Sequence, residues 1–511
     1  MPAPIHWFRA GWRSLRAARL AAWIGFWAVP AVGCAWHTPP VPMAELSQRI
    51  LPPLPLPSLV ADPVADVPAC PCADDSIPLG AFRPPLAGSD HGWEPLTLEQ
   101  AIAWALRTNP GLQARMERIA QAEGGRQVSF ADFLPEANVS LRRIDGTPGR
   151  FALPTLPSAV GNVAYGGTAH DFWIGEFHLQ WTIWDFGRTM ARYGRAVAAL
   201  DIARLQYLRA RQTLVYQVAV SYFDLLQARA NRIIAEEAVR RAEAHLRDAR
   251  NFLKEGTAIR HDVLRAEVQV AEMRLLLVQA RTAEGIARAG LNQLIGINVS
   301  TPTQIVDQPD EPTWNLSLEQ GLRLAVDHRE EFRVVLQGIA AAQFGAQEAK
   351  AAFWPRIYVG GTAALQDGRH LDQHELISGG VNIELGLYEG GRRKGQLVSA
   401  KAEVRAAIAQ AKEVCDRIAY EVTAAFLAMD DARQRIELSQ SMVTQAEENI
   451  RVVGNLFRRG DATPTEVVDA ELTWVRARQN YAAALYDYQT ALARLQYAIG
   501  TTRPAEECGD E

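Results

Sequence analysis

Hydrophobic residues follow a helical period through two long stretches of the chain. In residues 188–254 and again in residues 392–458, proline is absent and the helix formers Ala, Leu, Arg, Glu and Gln dominate. The apolar residues that recur there at heptad-like steps are Leu208, Val215, Val218, Tyr222 and Leu225, then Ile418, Val422, Phe426 and Met429. The pattern predicts two coiled-coil helices, each about 100 Å long at about 1.5 Å per residue.

Turns that contain glycine interrupt both stretches. Gly256-Thr257 ends the first long helix, and Gly460-Asp461 ends the second. Returning helices are then predicted at about residues 261–294 and 465–498. Each long helix and its returning helix therefore form a helical hairpin.

Ahead of each long helix the hydrophobic period changes to two, which predicts strands. The alternating positions are Trp173, Gly175, Phe177, Leu179, Trp181 and Ile183 in the first copy, and Val381, Ile383, Leu385 and Leu387 in the second. Weaker strands are predicted at about residues 137–144 and 356–366. Strands of about 9 to 13 residues with one apolar and one polar face fit the wall of a transmembrane barrel. The alternative is an ordinary sheet on a soluble core, although no compact core would cover helices of this length.

The chain contains an internal repeat with the order helix, strand, strand, long helix, turn, helix. LTLEQAIAWALRTNP, from Leu96, matches LSLEQGLRLAVDHRE, 220 residues later, and the Phe133 and Phe353 motifs keep that offset. The turns after Trp184 and Tyr388 match at an offset of 204. One loop is therefore longer by 16 residues in the first copy. We assign residues 91–296 to the first repeat, 297–315 to a linker, 316–500 to the second repeat and 501–511 to a tail.

The first residues are typical of an export signal. Arg9, Arg13, Arg16 and Arg19 precede an apolar stretch at residues 20–32, which predicts a signal peptide over residues 1–33. The alternatives are an uncleaved anchor and a wrongly assigned start of the chain. Ala31-Val32-Gly33-Cys34 resembles a lipoprotein box, which predicts lipidation of Cys34, against an ordinary signal peptide with an incidental cysteine. Residues 34–90 are rich in proline and are expected to form an extended tether.

Composition excludes several classes of protein. The formal charge of -5 falls to -9 when residues 1–33 are removed, since they carry four arginines and no acid, so nucleic acid is not expected as a partner. Beyond residue 36 no apolar run reaches the roughly 18 residues of a spanning helix. The chain has no HExxH, GxxxxGK[ST] or GxSxG motif, so we expect neither an enzyme nor a cofactor.

Aromatic residues cluster where strand meets helix, and Trp and Tyr favour membrane interfaces. The six predicted interface residues are Phe133, Trp184, Phe186, Phe353, Trp354 and Tyr388. A packed junction is the alternative, and both interpretations can hold together.

Four predicted strands leave a sheet with two free edges. In lipid each unpaired backbone group costs several kcal/mol, so the sheet must close with other copies of the chain. Two copies would supply eight strands and three would supply 12. A lumen wide enough for transport, continued by an equal number of helices, favours the larger number. A periplasmic coiled-coil protein without a pore is a competing interpretation, but it leaves the lipid-patterned strands unexplained.

The doubled motifs, together with EGTAIRHDVLRAE from Glu255 and the closing Leu294-Ile295-Gly296, resemble the TolC-like outer-membrane factor family over about residues 90–500. The resemblance implies an α+β membrane protein, a homotrimer whose 12-stranded β-barrel joins a 12-helix α-barrel. It also implies an outer-membrane export duct that a periplasmic adaptor recruits to an inner-membrane transporter. The lipoprotein box is similar to that of the multidrug-efflux branch, and type I secretion of peptides or proteins is the alternative.

The periplasmic ends of the hairpins carry the remaining candidate residues. Glu466 and Asp469 share a helical face, and three copies would make a ring of six carboxylates that favours cations. These two residues match an acidic constriction of the family, and Asp262 matches it in the first repeat. Solvated charges at a helix start are the alternative. The turns project farthest from the membrane and are therefore candidates for adaptor contact, namely Gly256, Thr257, Ala258, Gly460, Asp461 and Ala462. The family's basic residue falls on Ala462, which is a departure.

Overall fold

A computed structural model of the protein describes residues 95–145, 151–152, 156–158, 161–163, 166–167, 171–256, 259–307, 317–368 and 375–501. The predicted signal peptide, the lipidation site at Cys34, the tether and the turn residues Thr257 and Ala258 lie outside this part of the chain. Within it, every helix is too short or too polar to cross a membrane.

The first repeat contains four main helices and two long strands. They are α1 (Leu98–Thr108), α2 (Pro110–Ala131), β1 (Glu136–Asp145), β6 (Asp171–Trp184), α3 (Arg188–Lys254) and α4 (Arg260–Ile295). Between β1 and β6 lie four short strands: β2 (Phe151–Ala152), β3 (Leu156–Ser158), β4 (Gly161–Val163) and β5 (Gly166–Gly167). These pair as β2 with β5 and β3 with β4. The repeat predicted only a longer loop in the first copy and no strands here, because strands of two or three residues leave no readable period.

The second repeat has the same order, and its described residues include no short strands between the two long ones. It comprises α5 (Leu318–His328), α6 (Glu330–Ala351), β7 (Arg356–Gly368), β8 (Glu375–Glu384), α7 (Arg392–Arg459) and α8 (Pro464–Ile499). The predicted hairpin helices are confirmed. Strand β8 ends at Glu384, so Leu385 and Leu387 lie beyond the strand in which the alternation placed them. The chain turns there, and Arg393 Nη1 donates a hydrogen bond to the carbonyl of Gly386 at 2.9 Å.

Each repeat begins with two short helices rather than the single helix predicted from the sequence. Asn109 separates α1 from α2; its side chain caps α2 and Pro110 occupies the first turn, both favourable at a helix start. Arg329 separates α5 from α6 at the matching position without a proline. Both breaks meet the end of a returning helix. Asn109 Nδ2 donates to Leu294 O at 3.0 Å, and Arg329 Nη1 donates to Ala498 O at 3.0 Å.

Glycines with positive φ recur at matching positions of the two repeats. The helix boundaries carry Gly187 and Gly391, Gly256 and Gly460, and Gly296 and Gly500, with φ between 77° and 89°. At the returning ends, close packing adds a second requirement. A Cβ on Gly296 would lie 3.0 Å from Thr108 O, and a Cβ on Gly500 would lie 2.8 Å from His328 O. These positions therefore need glycine for conformation and for space.

The four long strands form one antiparallel sheet in the order β1-β6-β7-β8. Pairing of β6 with β7 joins the two repeats, with Phe177 opposite Ala363, and one irregularity lies between Thr182 and Trp184. The sheet is thus shared by both repeats and has β1 and β8 at its edges.

The helices pack in side-by-side columns around α3. Helix α3 packs against α2, α4, α6 and α8, while α7 packs against α6 and α8. The predicted heptad residues Val215, Val218, Tyr222 and Leu225 are buried, as are Ile418, Val422 and Met429. Helices α4 and α7 therefore flank the packed set on opposite sides.

Candidate functional site

One face of the sheet is apolar and open to solvent in the single chain. The cross-strand register puts Val139 opposite Phe177, Phe177 opposite Ala363 and Ala363 opposite Ile377, so these residues share a face. The exposed apolar residues of this face are Val139, Leu141, Trp173, Phe177, Leu179, Trp181, Ile183, Leu365, Ile377, Val381 and Ile383. Val139 and Ile377 reach 80% and 81% exposure. A continuous apolar surface of this kind marks contact with a partner or a membrane.

The opposite face of the sheet is polar and carries a hydrogen-bonded cluster. Glu176 is buried; its Oε2 accepts from Ser140 Oγ at 3.4 Å and lies 3.4 Å from His178 Nε2. His178 Nδ1 lies 3.2 Å from Thr362 Oγ1, so the cluster spans three strands. A soluble antiparallel sheet places its apolar face against the core and its polar face in water. Here the apolar face is the exposed one, as in a barrel whose outside meets lipid.

Both sides of the described protomer are unfinished. Strand β1 pairs with β6 and β8 pairs with β7, and among the described strands neither has a partner on its outer side. The flanking helices α4 and α7 each carry an exposed apolar stripe with helical spacing. The α4 stripe consists of Leu264, Val268, Leu275, Val278 and Ile286, and the α7 stripe of Tyr420, Leu427, Leu438, Met442, Val452 and Leu456.

The hairpin tips are built around the two glycines predicted from the sequence. Gly256 and Gly460 take φ values of 77° and 83°, and the backbone N–H of Asp461 donates to Leu456 O at 2.9 Å, which closes the end of α7. Asp461 is exposed and Ala462 is half-buried. The two tips touch, since Arg265 of α4 donates a hydrogen bond to the hydroxyl of Thr465 at the start of α8.

Two of the three predicted aperture carboxylates cap helices. Glu466 Oε2 accepts from Thr463 N at 2.7 Å and from Thr463 Oγ1 at 3.1 Å, while Asp262 Oδ2 accepts from Ile259 N at 3.2 Å. Asp469 lies one turn further along α8 and is exposed. Glu466 and Asp262 thus act as charges at a helix start, as the alternative interpretation expects, and Glu466 is also exposed to solvent. Their role in an aperture stays a prediction.

The predicted interface aromatics form a partly packed junction. Phe186 stacks on Trp354 with ring centres 5.2 Å apart, which links the two repeats, and Trp184 meets Phe186 edge-on at 6.0 Å. The carbonyl of Phe133 accepts from Trp181 Nε1 at 2.8 Å. Trp184, Phe186, Phe353, Trp354 and Tyr388 nevertheless stay exposed. The packed junction is therefore present, and the membrane-interface role of these aromatic residues stays a prediction.

Comparison with known proteins decides the family. The family model described as outer membrane efflux protein matches residues 101–297 and 321–501, one segment in each repeat. The chain belongs to the outer membrane efflux protein family. It is accordingly a channel protein of the outer membrane and not an enzyme.

Individual members of the outer membrane efflux protein family resemble the chain at low identity over most of its length. The proteases secretion protein PrtF of Dickeya chrysanthemi is 21% identical over 340 residues, which cover 65% of this chain and 73% of PrtF. The pyoverdine export outer membrane protein OpmQ of Pseudomonas aeruginosa is 24% identical over 416 residues, covering 79% and 83%. The Campylobacter jejuni CmeC outer membrane channel aligns with a TM-score of 0.69 at 16% identity, over 80% of this chain and 88% of CmeC. The fold is therefore shared with solved outer-membrane channels.

The sequence did not predict one buried ionic network in this efflux-family chain. Arg329 is 3% exposed and binds Glu331 and Glu421, each at 2.7 Å, while Arg209 of α3 binds Glu331 at 2.6 Å. Although burial acts against it, hydrogen bonding from Arg329 and the charge of Arg209 hold the pKa of Glu331 below its usual value. The available signal was the repeat itself, since Arg329 stands where the first repeat has the neutral cap Asn109.

Proposed function

We propose that the chain acts as a homotrimer that forms a passive export duct through the outer membrane. Three four-stranded sheets close into a 12-stranded β-barrel, and the helical columns continue it as a 12-helix tunnel into the periplasm. An inner-membrane pump delivers substrates to it through a periplasmic adaptor. The observation that carries this proposal is the exposed apolar face of a sheet with two free edges.

Closure by identical copies follows from what lies on the two sides of the chain. Edge β8 of one copy pairs with edge β1 of the next, and the α7 stripe packs on the α4 stripe of that neighbour. Such a contact joins two different surfaces and closes into a ring when the rotation allows it. The sheet edges and the apolar stripes are then satisfied by the same arrangement.

Attachment and partner contacts are assigned from the sequence motifs. Cys34 carries the lipid anchor in the outer membrane, and residues 34–90 tether it to the folded body. The turns Gly256-Thr257-Ala258 and Gly460-Asp461-Ala462 contact the adaptor. Glu466, Asp469 and Asp262 line a cation-favouring periplasmic aperture. The six junction aromatics lie at the membrane interface.

Small molecules, multidrug substrates included, are the cargo we propose. Support comes from OpmQ, whose name states pyoverdine export, and from the motif at Cys34. Protein secretion is the second candidate, because PrtF is named for the secretion of proteases. A strain that lacks its own export channel separates the two. The chain is expected to restore growth on antibiotic with an efflux pump and adaptor, and not to restore protease secretion with a secretion transporter; the reverse result would assign it to secretion.

The channel itself is tested with the full-length protein. From an outer-membrane fraction it is expected to migrate as an oligomer that heat converts to monomer, and to produce discrete conductance steps in planar lipid bilayers. A Cys34→Ser variant serves as the control for anchoring, since it loses acylation but keeps the conductance. Recovery of a monomer from the periplasmic extract, without conductance, would reject the proposal and favour a coiled-coil protein without a pore.

A further inference from the structure

Helix α8 carries a buried carboxyl close to the hairpin tips. Glu471 lies two residues beyond Asp469 and is 8% exposed, between the buried residues Val467 and Trp474. This stretch of α8 faces α3, because the guanidinium of Arg241 sits over the Trp474 ring at 4.3 Å. Within the described part of the chain Glu471 makes no hydrogen bond or ion pair, although a buried carboxylate normally requires one.

The charged and titratable groups around this contact interact with residues other than Glu471. On α3, Arg241 binds Glu237 at 2.7 Å, and His245 is buried with its ring 4.9 Å from Phe457. On α7, Glu447 binds Arg478 at 2.8 Å and Glu448 binds Arg451 at 2.6 Å. On α4, Arg274 binds Glu243 of α3 at 2.7 Å. Two buried donors, Gln269 Nε2 and Trp474 Nε1, also lack a partner among the described residues.

The first repeat offers an internal comparison. Glu267 of α4 occupies the position that matches Glu471, 204 residues earlier. Its side chain is 42% exposed and binds Arg250 at 2.7 Å. The same residue type is therefore solvated and paired in one hairpin and buried without a partner in the other.

Burial raises the pKa of Glu471 to about 7, and the charge of Arg241 opposes this only in part. Burial also lowers the pKa of His245, with Asp248 opposing. The packed contact between α3 and α8 thus favours the neutral form of both groups. At a pH below the ordinary carboxyl range, Glu471 is protonated whether the contact is packed or open, so its burial does not lower the stability of the contact. The loss of stability grows as the pH rises and is complete above about pH 7.

We propose that the contact between α3 and α8 around Glu471 is a proton-sensitive switch at the hairpin tips. With Glu471 protonated, α8 stays packed on α3. Loss of the proton loosens α8 from α3, which hydrates the carboxylate and displaces Asp469 and Glu466 at the start of the same helix. The effect on conduction rests on the proposed channel function, whereas the loosening of α8 does not.

Hydrogen exchange of the full-length protein in detergent, corrected for the intrinsic rate at each pH, measures the loosening directly. Between pH 6 and pH 8 the protection of residues 467–477 is expected to fall about tenfold, as one carboxyl with the shifted pKa predicts. Glu471→Gln and Glu471→Met should both keep the pH 6 protection at pH 8. The control Glu267→Gln should retain the fall of the unmodified protein. A fall that persists in both Glu471 variants, or no fall in the unmodified protein, would overturn the switch.

Bilayer recordings separate the switch from the channel. The unmodified protein and Glu267→Gln should change conductance between pH 6 and pH 8, and Glu471→Gln should not. If none of the three forms channels, the proposed function fails, while the exchange result still decides the switch. If all three conduct with the same pH dependence, the switch fails and the channel stands.

Discussion

At the scale of single residues, Phe186 shows how the junction between sheet and helix accepts strain. Among the described residues it is the one other than glycine with a positive φ, at 56°, and its repeat counterpart Gly390 has a φ of 62°. A bulky residue in this region is uncommon and costs about 1 kcal/mol or more. Stacking of its ring on Trp354 offsets that cost.

Two substitutions of Phe186 separate the strain from the stacking. Phe186→Ala loses the ring and keeps the strain, whereas Phe186→Gly loses both, so the alanine variant should be less stable by about 1 kcal/mol. The melting temperature of the heat-sensitive oligomer is the measurement, with Gly390→Ala as the matched control that adds strain in the other repeat. Equal melting temperatures for the two Phe186 variants would show that the backbone here is relaxed.

At the scale of elements, the long helices could be predicted closely because their ends coincide with glycine. Gly187, Gly391 and Gly460 mark boundaries that propensity and the repeat both indicate. The break at Arg329 could not be predicted, since no proline stands there and its ion pairs depend on distant residues: Arg329 binds Glu421 of α7, and its neighbour Glu331 binds Arg209 of α3. Burial of Glu471 likewise depends on α3, which lies more than 200 residues earlier.

The start of α8 combines a helix cap with a charge, and two variants divide these roles. Thr463→Ala removes the hydroxyl of the capping box and should destabilise the tip by about 1 kcal/mol, leaving every carboxylate in place. Asp469→Asn keeps the cap and removes three charges from the trimer, which should lower cation selectivity. Reversal potentials in a KCl gradient measure selectivity, and hydrogen exchange at residues 463–467 measures fraying.

The charges at this tip also lead to a prediction for the combined variant Glu466→Ala with Asp469→Ala. It should raise conductance or leak through the closed mouth beyond Thr463→Ala, because both carboxylates are lost together with the cap. Single-channel conductance equal to that of Thr463→Ala would assign the acidic pair to helix capping alone.

At the scale of the whole molecule, the proposed closure depends on several weak features acting together. A single exposed leucine is ordinary on a protein surface, but here two flanking helices carry stripes and two strands carry free edges. Each flank of the protomer carries one apolar stripe and one free strand edge. The proposed contact between the α7 side of one copy and the α4 side of another would satisfy all four features at once.

A charge placed in the α7 stripe tests this closure. Leu427 is an exposed residue of the stripe, and Leu427→Glu would bury a carboxylate in the proposed seam between copies, which costs several kcal/mol unless it is paired. Gln440→Glu adds the same charge to α7 on the side away from the stripe and is the matched control. Light scattering during size exclusion should show trimers for the control and monomers for Leu427→Glu. Trimers for both variants would place the stripe outside the interface and leave the sheet edges alone to hold the ring. Since the strands then pair without support from the helices, the barrel would have to assemble before the tunnel.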